Sequence, residues 1–383
     1  MDKPTVQDIF HRFYPAYLDQ YSPSPVQAKV AHNIMNCKTG AYGANVCVCE
    51  DCGFVQIHYN SFRNRCCPMC QAVPKEMWMD ARREDVLDAP YFHLVFTVPD
   101  ILNPVIYSNQ RLLYDALYHA ASSTISELTA DPKHLGAKVG YICILHTWGS
   151  EMNFHPHIHT ILLGGGLASN NQWKDNGENF FLPIRVISKM FRGKYLEELK
   201  RLWKEDKLVF HGTAEKFRNH YTFKELLDSC YGMDWIPHCK KTFNGAQTVM
   251  KYLGKYTHRI AVSNHRTVRM DDDTVTFLVK DYRNEGQWKE LTISGVEFVR
   301  RFLMHVPPRR FVRIRHYGLL CSRTKNQKLT LCRNLLGCKK YLSKLRDMEM
   351  PEILEHLYGI KVCVCKACGG HLGKPQMRMP LRC

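Results

Sequence analysis

The stretch Phe154-His155-Pro156-His157-Ile158-His159-Thr160-Ile161-Leu162-Leu163, closed by Gly164-Gly165-Gly166, decides how this chain is read. Side chains of a strand alternate between its faces, so His155, His157 and His159 point the same way. Ile158, Ile161 and Leu162 pack such a strand into a core, and the glycines are expected to stop it. Two imidazoles at adjacent same-face positions can chelate one divalent ion, which then acts as a Lewis acid on a phosphate oxygen. A third ligand is needed, and His155, Glu151 and Gln247 are candidates. In isolation, such an alternation is more often a polar strand face turned to solvent.

On either side, the pattern alternates between strands and helices. Phe92–Val98 reads as a strand ended by Pro99. Asn103-Pro104 reads as a helix start, with Asn as N-cap and Pro at the first helical position, and the helix is expected to run to about Leu128. Gly140–Thr147 is a second strand, residues 187–206 a charged amphipathic helix, and Thr274–Tyr282 with Lys289–Ile293 a hairpin. Ser294 and Glu297 form a capping box that opens a helix over Val296–His305. Phe311–Tyr317 is a further short strand. Before all of these, Ser24-Pro25 opens a helix carrying Val26, Val30, Ile34 and Met35, and residues 74–88 read as another. The mixture predicts an α+β fold with a largely antiparallel sheet. We expect three parts: a helical, metal-organised unit over 1–88, a catalytic unit over 89–318 and a basic tail over 319–383.

Composition narrows the partners. The 383 residues carry 53 Lys plus Arg against 36 Asp plus Glu, a net charge of +17. That balance suits a polyanion, and nucleic acid is the commonest one. No apolar run is long enough to span a bilayer, and no secretory leader follows Met1. The 17 cysteines therefore fit a reduced, cytosolic compartment, where clustered thiols read as metal ligands. Cys49-Glu50-Asp51-Cys52 and Cys67-Pro68-Met69-Cys70 each supply two thiolates on one turn. Together they predict one closed, structural tetrathiolate Zn2+ site. Cys365 and Cys368, with Cys363, His371 and Cys383 nearby, read as half of a second site whose partners are not evident.

Tyr252-Leu253-Gly254-Lys255-Tyr256 places two phenols four residues apart, on one face of a helix. A pair of this kind is usually core packing. Here Lys251, Lys255, His258 and Arg259 surround it, and cations both orient a phosphodiester and favour the phenolate, whose usual pKa is roughly 10. Tyrosine is one of the side chains that form covalent intermediates. Lys255 and Arg259 are therefore DNA-contact candidates. So are Arg313 and Arg315, expected to share a strand face with Phe311 and Tyr317. Residues 322–346 add a basic arm.

His157-Ile158-His159 is similar to the HUH motif (His, hydrophobic, His) of rolling-circle endonucleases, and Tyr252 and Tyr256 resemble their two-tyrosine motif. The chain resembles in particular the rolling-circle transposases of the insertion-sequence ninety-one type, in Asn60–Gln71, Phe92–Pro99, Phe154–Gly166, Lys251–His265, Val275–Arg283 and Val296–Leu319, in that order. Phe62 and Cys66 depart from it, standing where Cys and His are expected in the knuckle. The resemblance implies a central antiparallel HUH sheet flanked by helices, preceded by a small helical zinc-binding domain. It implies attack by Tyr252 or Tyr256 on single-stranded DNA at mobile-element ends and on target DNA. The products are a 5′-phosphotyrosine and a free 3′-hydroxyl, and Mg2+ or Mn2+ is held by His157, His159 and one further polar side chain. It also implies work on the nucleoid in the bacterial cytoplasm. Two other readings share parts of this pattern: a plasmid replication initiator or relaxase with the same chemistry, and a non-catalytic zinc-dependent nucleic-acid-binding protein.

Overall fold

The structure is a computed structural model that describes residues 3–175, 182–235, 238–243, 249, 254, 261–281, 285–374 and 376–378. Its helices are α1 (Val6–Gln20), α2 (Pro25–Met35), α3 (Ala72–Arg83), α4 (Asn103–Ser108), α5 (Gln110–Ala130), α6 (Ile184–Lys204), α7 (His220–Gly232), α8 (Gly295–Met304), α9 (Lys325–Leu336) and α10 (Met350–Tyr358). Its strands are β1 (Ala44–Val48), β2 (Val55–Tyr59), β3 (Tyr91–Thr97), β4 (Lys138–Trp148), β5 (Phe154–Leu167), β6 (Trp173–Asp175), β7 (His238–Phe243), β8 (Thr267–Met270), β9 (Thr274–Asp281), β10 (Gln287–Ser294), β11 (Ile314–Gly318) and β12 (Gln376–Arg378).

The central sheet runs β11-β4-β5-β3-β7, with β6 added to the end of β5, and its pairs are antiparallel. One face is mainly apolar, with Thr160 buried in it beside Cys143. Leu94 and Phe96 of β3, Cys143 and Leu145 of β4, and Ile158 and Leu162 of β5 pack there with Leu117 and Tyr118 of α5 and with Phe191 and Tyr195 of α6. The opposite face changes character along the strands. Ile142, Ile144, Ile161 and Leu163 bury one half of it; the next same-face positions are His146, His157 and His159. The period-two alternation thus gives β5 one face for the core and one face for a site.

Three local expectations are revised. The helix predicted over 103–128 is two helices, broken at Asn109, whose backbone (φ −126°, ψ 38°) is not helical. Its side chain instead donates to the carbonyls of Val105 and Val209 at 2.9 and 2.7 Å and accepts from the Val209 amide at 2.8 Å. Asn103 is the first helical residue, not the cap. The glycine run does not stop the strand either: β5 continues to Leu167, because β6 pairs with it from Gly165 to Leu167. A Cβ at Gly165 would meet the Trp173 indole, and one at Gly166 the Lys138 carbonyl, so these glycines admit close neighbours rather than a turn. Ser294 caps α8 through the Glu297 amide at 3.2 Å, but the Glu297 carboxylate turns to Arg300 and Arg301 at 2.6 and 2.7 Å.

Two smaller three-stranded sheets, β12-β1-β2 and β10-β9-β8, complete the fold. The first joins strands from distant parts of the chain, and the second packs against α1. The stripe Val6, Ile9, Phe10, Phe13 and Tyr17 on α1 does not pack within residues 1–88 alone. It shares a core with Phe277 of β9 and Phe298 and Phe302 of α8, and the Phe10 and Phe302 rings meet edge-on at 5.2 Å. Leaving such side chains in water would forgo roughly 1.5–3 kcal/mol each. At the other end, β12 pairs with β1. No helix of the described residues is long and apolar enough to cross a membrane.

The joint between these cores titrates. His305, at the end of α8, is buried (7% exposed). Its Nε2–H donates to the Met152 carbonyl at 3.0 Å, and its Nδ1 accepts from the Thr147 hydroxyl at 3.1 Å. That saturates the neutral ring, and burial lowers its pKa to about 4. The unfolded imidazole has a pKa near 6.5, so between about pH 6.5 and 4 the unfolded chain binds the extra proton. Resistance to urea should therefore be constant above about pH 6.5 and fall as the pH drops towards 4. His305→Gln should make that fall shallower, leaving the share of the similarly shifted His157, as unfolding midpoints at pH 5 and pH 7 would measure.

Candidate metal centre and nucleic-acid cleft

The β4–β5 register sets His146 directly opposite His157 and Ile144 opposite His159. A ligand atom from each of His146, His157 and His159 lies within 4.8 Å of the others. The Nε2 atoms of His157 and His159 approach to 3.1 Å. All three rings are buried, with 3%, 9% and 8% exposed. The second ring nitrogens of His157 and His159 are engaged. His157 Nδ1–H donates to the His155 carbonyl at 2.7 Å, and His159 Nδ1 lies 2.9 Å from His93 Nε2. Such bonds fix a ring's tautomer and leave its other nitrogen's lone pair facing inward. Burial, then the neighbouring His155, lowers the His157 pKa to about 4. The ring is thus a neutral donor at physiological pH, as metal binding requires. Three imidazoles converging on one point fit a divalent metal.

His146 is the third imidazole of the group, in place of the expected His155. The β4–β5 register shifts between His146 and Trp148, and the His155 ring beyond it turns to Asp100, 3.3 Å from its carboxylate oxygen. The sequence held a usable signal for His146: it shares parity with Ile142 and Ile144 in a strand bound to pair with the histidine strand. Glu151 contributes its carbonyl to Arg301 at 2.9 Å. Gln247, Tyr252, Lys255, Tyr256 and Arg259 lie outside the described residues.

The histidines open onto a cleft of about 750 Å³ whose lining includes Lys75, Gly254, Lys280 and Trp288. Trp288 is 51% exposed, with the Lys280 ammonium 5.3 Å from its ring centre. An exposed indole beside a cation suits a stacked base and its phosphate. Neither residue was singled out from the sequence, since nothing in the hairpin pattern shows which end faces the histidines. Arg313 and Arg315 do not form the expected basic face. Arg315 pairs with Asp115 and lies over the Tyr118 ring at 4.0 Å. Arg313 lies over Trp148 at 5.5 Å, and its pKa is lowered by burial. Phe311 precedes β11 and is buried in the main core. The basic tail is partly committed too: Lys325 pairs with Asp85 at 2.8 Å, and Arg346 with Glu84 at 2.7 Å.

The quartet of Cys49, Cys52, Cys67 and Cys70 expected around one ion is divided. Cys67 and Cys70 group with Cys37, and Cys49 and Cys52 with Cys365 and Cys368. Spacing along the chain identified the knuckles but could not say which pairs meet, since that depends on how the sheet and helices bring distant segments together. Within the first group Cys37 and Cys70 are 3.0 Å apart. A hydrogen bond from the Cys67 thiol lowers Cys70 to about 5 against the opposing effect of burial. Cys66 is buried beside Arg313 and Arg65, outside both groups, and Phe62 is exposed.

Comparison with known proteins identifies the family. Residues 9–98 match the family described as "Transposase zinc-binding domain", of the IS91 kind, and residues 140–328 the family described as "Putative transposase". The chain is 40% identical over 369 residues to "Putative transposase y4qJ" of Sinorhizobium fredii, covering 95% of this chain and 93% of that one. It is 30% identical over 309 residues to the transposase for insertion sequence element IS801 of Pseudomonas savastanoi pv. phaseolicola, covering 79% and 72%. A conjugative relaxase TrwC bound to oriT DNA overlaps with a TM-score of 0.25 at 13% identity, over 43% of this chain and 71% of that one, too slight to add to the register above. On its sequence kinship, its zinc-binding domain and its histidine-bearing antiparallel sheet, the chain belongs to the IS91-type rolling-circle transposases, which are DNA strand transferases.

Proposed function

We propose that this transposase cuts and rejoins single-stranded DNA at the ends of a mobile element, and joins them to target DNA on the bacterial nucleoid, with Tyr252 and Tyr256 as nucleophiles. One observation carries the reading. The cleft lined by His146, His157 and His159 is also lined by Gly254, which lies between the two tyrosines in sequence.

A divalent cation held by the three imidazoles would serve as a Lewis acid on a non-bridging phosphate oxygen. Lys75 and Lys280 at the cleft wall draw in and orient the phosphodiester, and Trp288 stacks a neighbouring base. One phenol oxygen attacks phosphorus and gives up its proton while the 3′-oxygen leaves. The products are a 5′-phosphotyrosine and a free 3′-hydroxyl. Attack of a 3′-hydroxyl on that phosphotyrosine rejoins a strand and restores the phenol, and the second tyrosine serves the second cleavage. Lys255 and Arg259, beside Tyr256 in sequence, favour the phenolate. The donor set also bears on the choice of metal. Mg2+ prefers oxygen ligands and keeps its waters, whereas imidazole suits softer divalent ions. Mn2+ is therefore the better fit of the two.

Three measurements check this. Purified protein, Mn2+ and labelled single-stranded DNA carrying an element terminus should give a covalent protein–DNA band. That band should weaken in Tyr252→Phe or Tyr256→Phe and vanish in the double variant; an adduct that survives the double variant removes both tyrosines from the role. In metal titrations of the same reaction, Mn2+ should reach half-maximal adduct at a lower concentration than Mg2+. His146→Ala should weaken Mn2+ binding at least about tenfold, the range seen for residues that only support ligands, whereas His155→Ala should leave it within about twofold, as calorimetry would show.

A further inference from the structure

We infer that Cys49, Cys52, Cys365 and Cys368 form a tetrathiolate zinc centre assembled from the two ends of the chain, which clamps the carboxy-terminal tail onto the amino-terminal domain. The family matches cover residues 9–98 and 140–328, so half of this ligand set lies beyond both.

The two contributing turns are built alike. Cys49-Glu50-Asp51-Cys52-Gly53 and Cys365-Lys366-Ala367-Cys368-Gly369 share the pattern C-x-x-C-G. In each, the glycine amide donates to the carbonyl of the first cysteine, at 3.0 Å in both. Each glycine also adopts the left-handed region, with φ of 71° and 76°, which a side chain would oppose. The turns face each other: Cys49 Sγ lies 3.5 Å from Cys368 Sγ, and Cys52 Sγ 3.7 Å from Cys365 Sγ. Backbone amides of Ala367 and Gly370 point at the sulfurs of Cys365 and Cys368, each at 3.4 Å, an arrangement that stabilises negative charge on a ligating thiolate. Four thiolates at the corners of a small tetrahedron are the donor set of a closed structural zinc site.

What surrounds the cluster explains why a metal is needed. The tail is joined to β1 by the β12 ladder, by the bridge between Cys49 and Leu372 and by the Asp51 carboxylate, which accepts from the His371 amide at 3.0 Å. Yet the buried apolar cluster there consists of Leu372 and the thiols Cys47, Cys49 and Cys365. So small a core cannot offset the entropy of ordering the tail, the situation in which small folds rely on a metal.

The unaltered chain provides the test. Cys52, Cys363 and Cys368 are all exposed, so burial alone would let N-ethylmaleimide reach each of them. In zinc-loaded protein, mass mapping should find Cys363 modified quickly while Cys49, Cys52, Cys365 and Cys368 are protected. A zinc chelator should expose those four together and make the tail sensitive to protease. Modification of Cys368 as fast as Cys363 in zinc-loaded protein would overturn the inference. So would a Cys365→Ser, Cys368→Ser chain that binds as much zinc as the natural one, since one equivalent should be lost. A Cys37→Ser chain is the control: it should keep Cys365 and Cys368 protected.

Discussion

The pairing of β4 with β5 is the constraint on which the site depends. Hydrogen bonds along the two strands hold His146 across from His157, and the same ladder buries Cys143, Leu145, Ile158 and Leu162 against the helices. A slip of one residue would turn every imidazole into the apolar core and every core side chain into the cleft. Burial on one face thus specifies, to the residue, the geometry on the other. The register shift after His146 then separates His155 from the cluster, leaving its carbonyl to receive the His157 Nδ1–H.

Placing His157 next to a core also sets its charge. Desolvation holds its pKa near 4, so its lone pair is not lost to a proton in a protein of net charge +17. Cations are kept at the cleft wall, on Lys75 and Lys280, where they can meet phosphate without competing for the same point. Much of the remaining positive charge is internal cement. Arg65 donates to the Phe311 carbonyl at 2.6 Å, Arg315 pairs with Asp115, and Lys325 and Arg346 fasten the tail to the end of α3. Net charge points to a polyanionic partner but does not say which guanidinium touches it.

The large elements could be read directly because their signals are local. Ser24-Pro25 caps α2 as its sequence predicts, with reciprocal bonds between Ser24 and Gln27. The β9–β10 hairpin turns at Glu285-Gly286, both with positive φ. Alternation along Phe154–Leu163 was enough to place His157 and His159 on one face. Misreadings arose where a distant partner overrode a local preference. Asn109 broke a helix to bond Val209, a hundred residues away. Gly165 and Gly166 stayed in a strand because β6 came alongside.

The same division runs through the ligands. Residue types and short spacings (two histidines two apart, paired cysteines in a tight turn) were determined by the sequence alone, because backbone geometry fixes where near neighbours point. Which distant groups complete each site was decided only by tertiary structure. His146 joins His157 and His159 through a strand pairing, and Cys365 and Cys368 join Cys49 and Cys52 across more than 300 positions. Cys67 and Cys70, only fifteen residues from Cys52 at their nearest, go elsewhere. A tetrahedron of sulfur or a cluster of imidazoles needs its atoms within a few ångströms, and separation along the chain does not set that distance once long-range pairing and core burial have folded it.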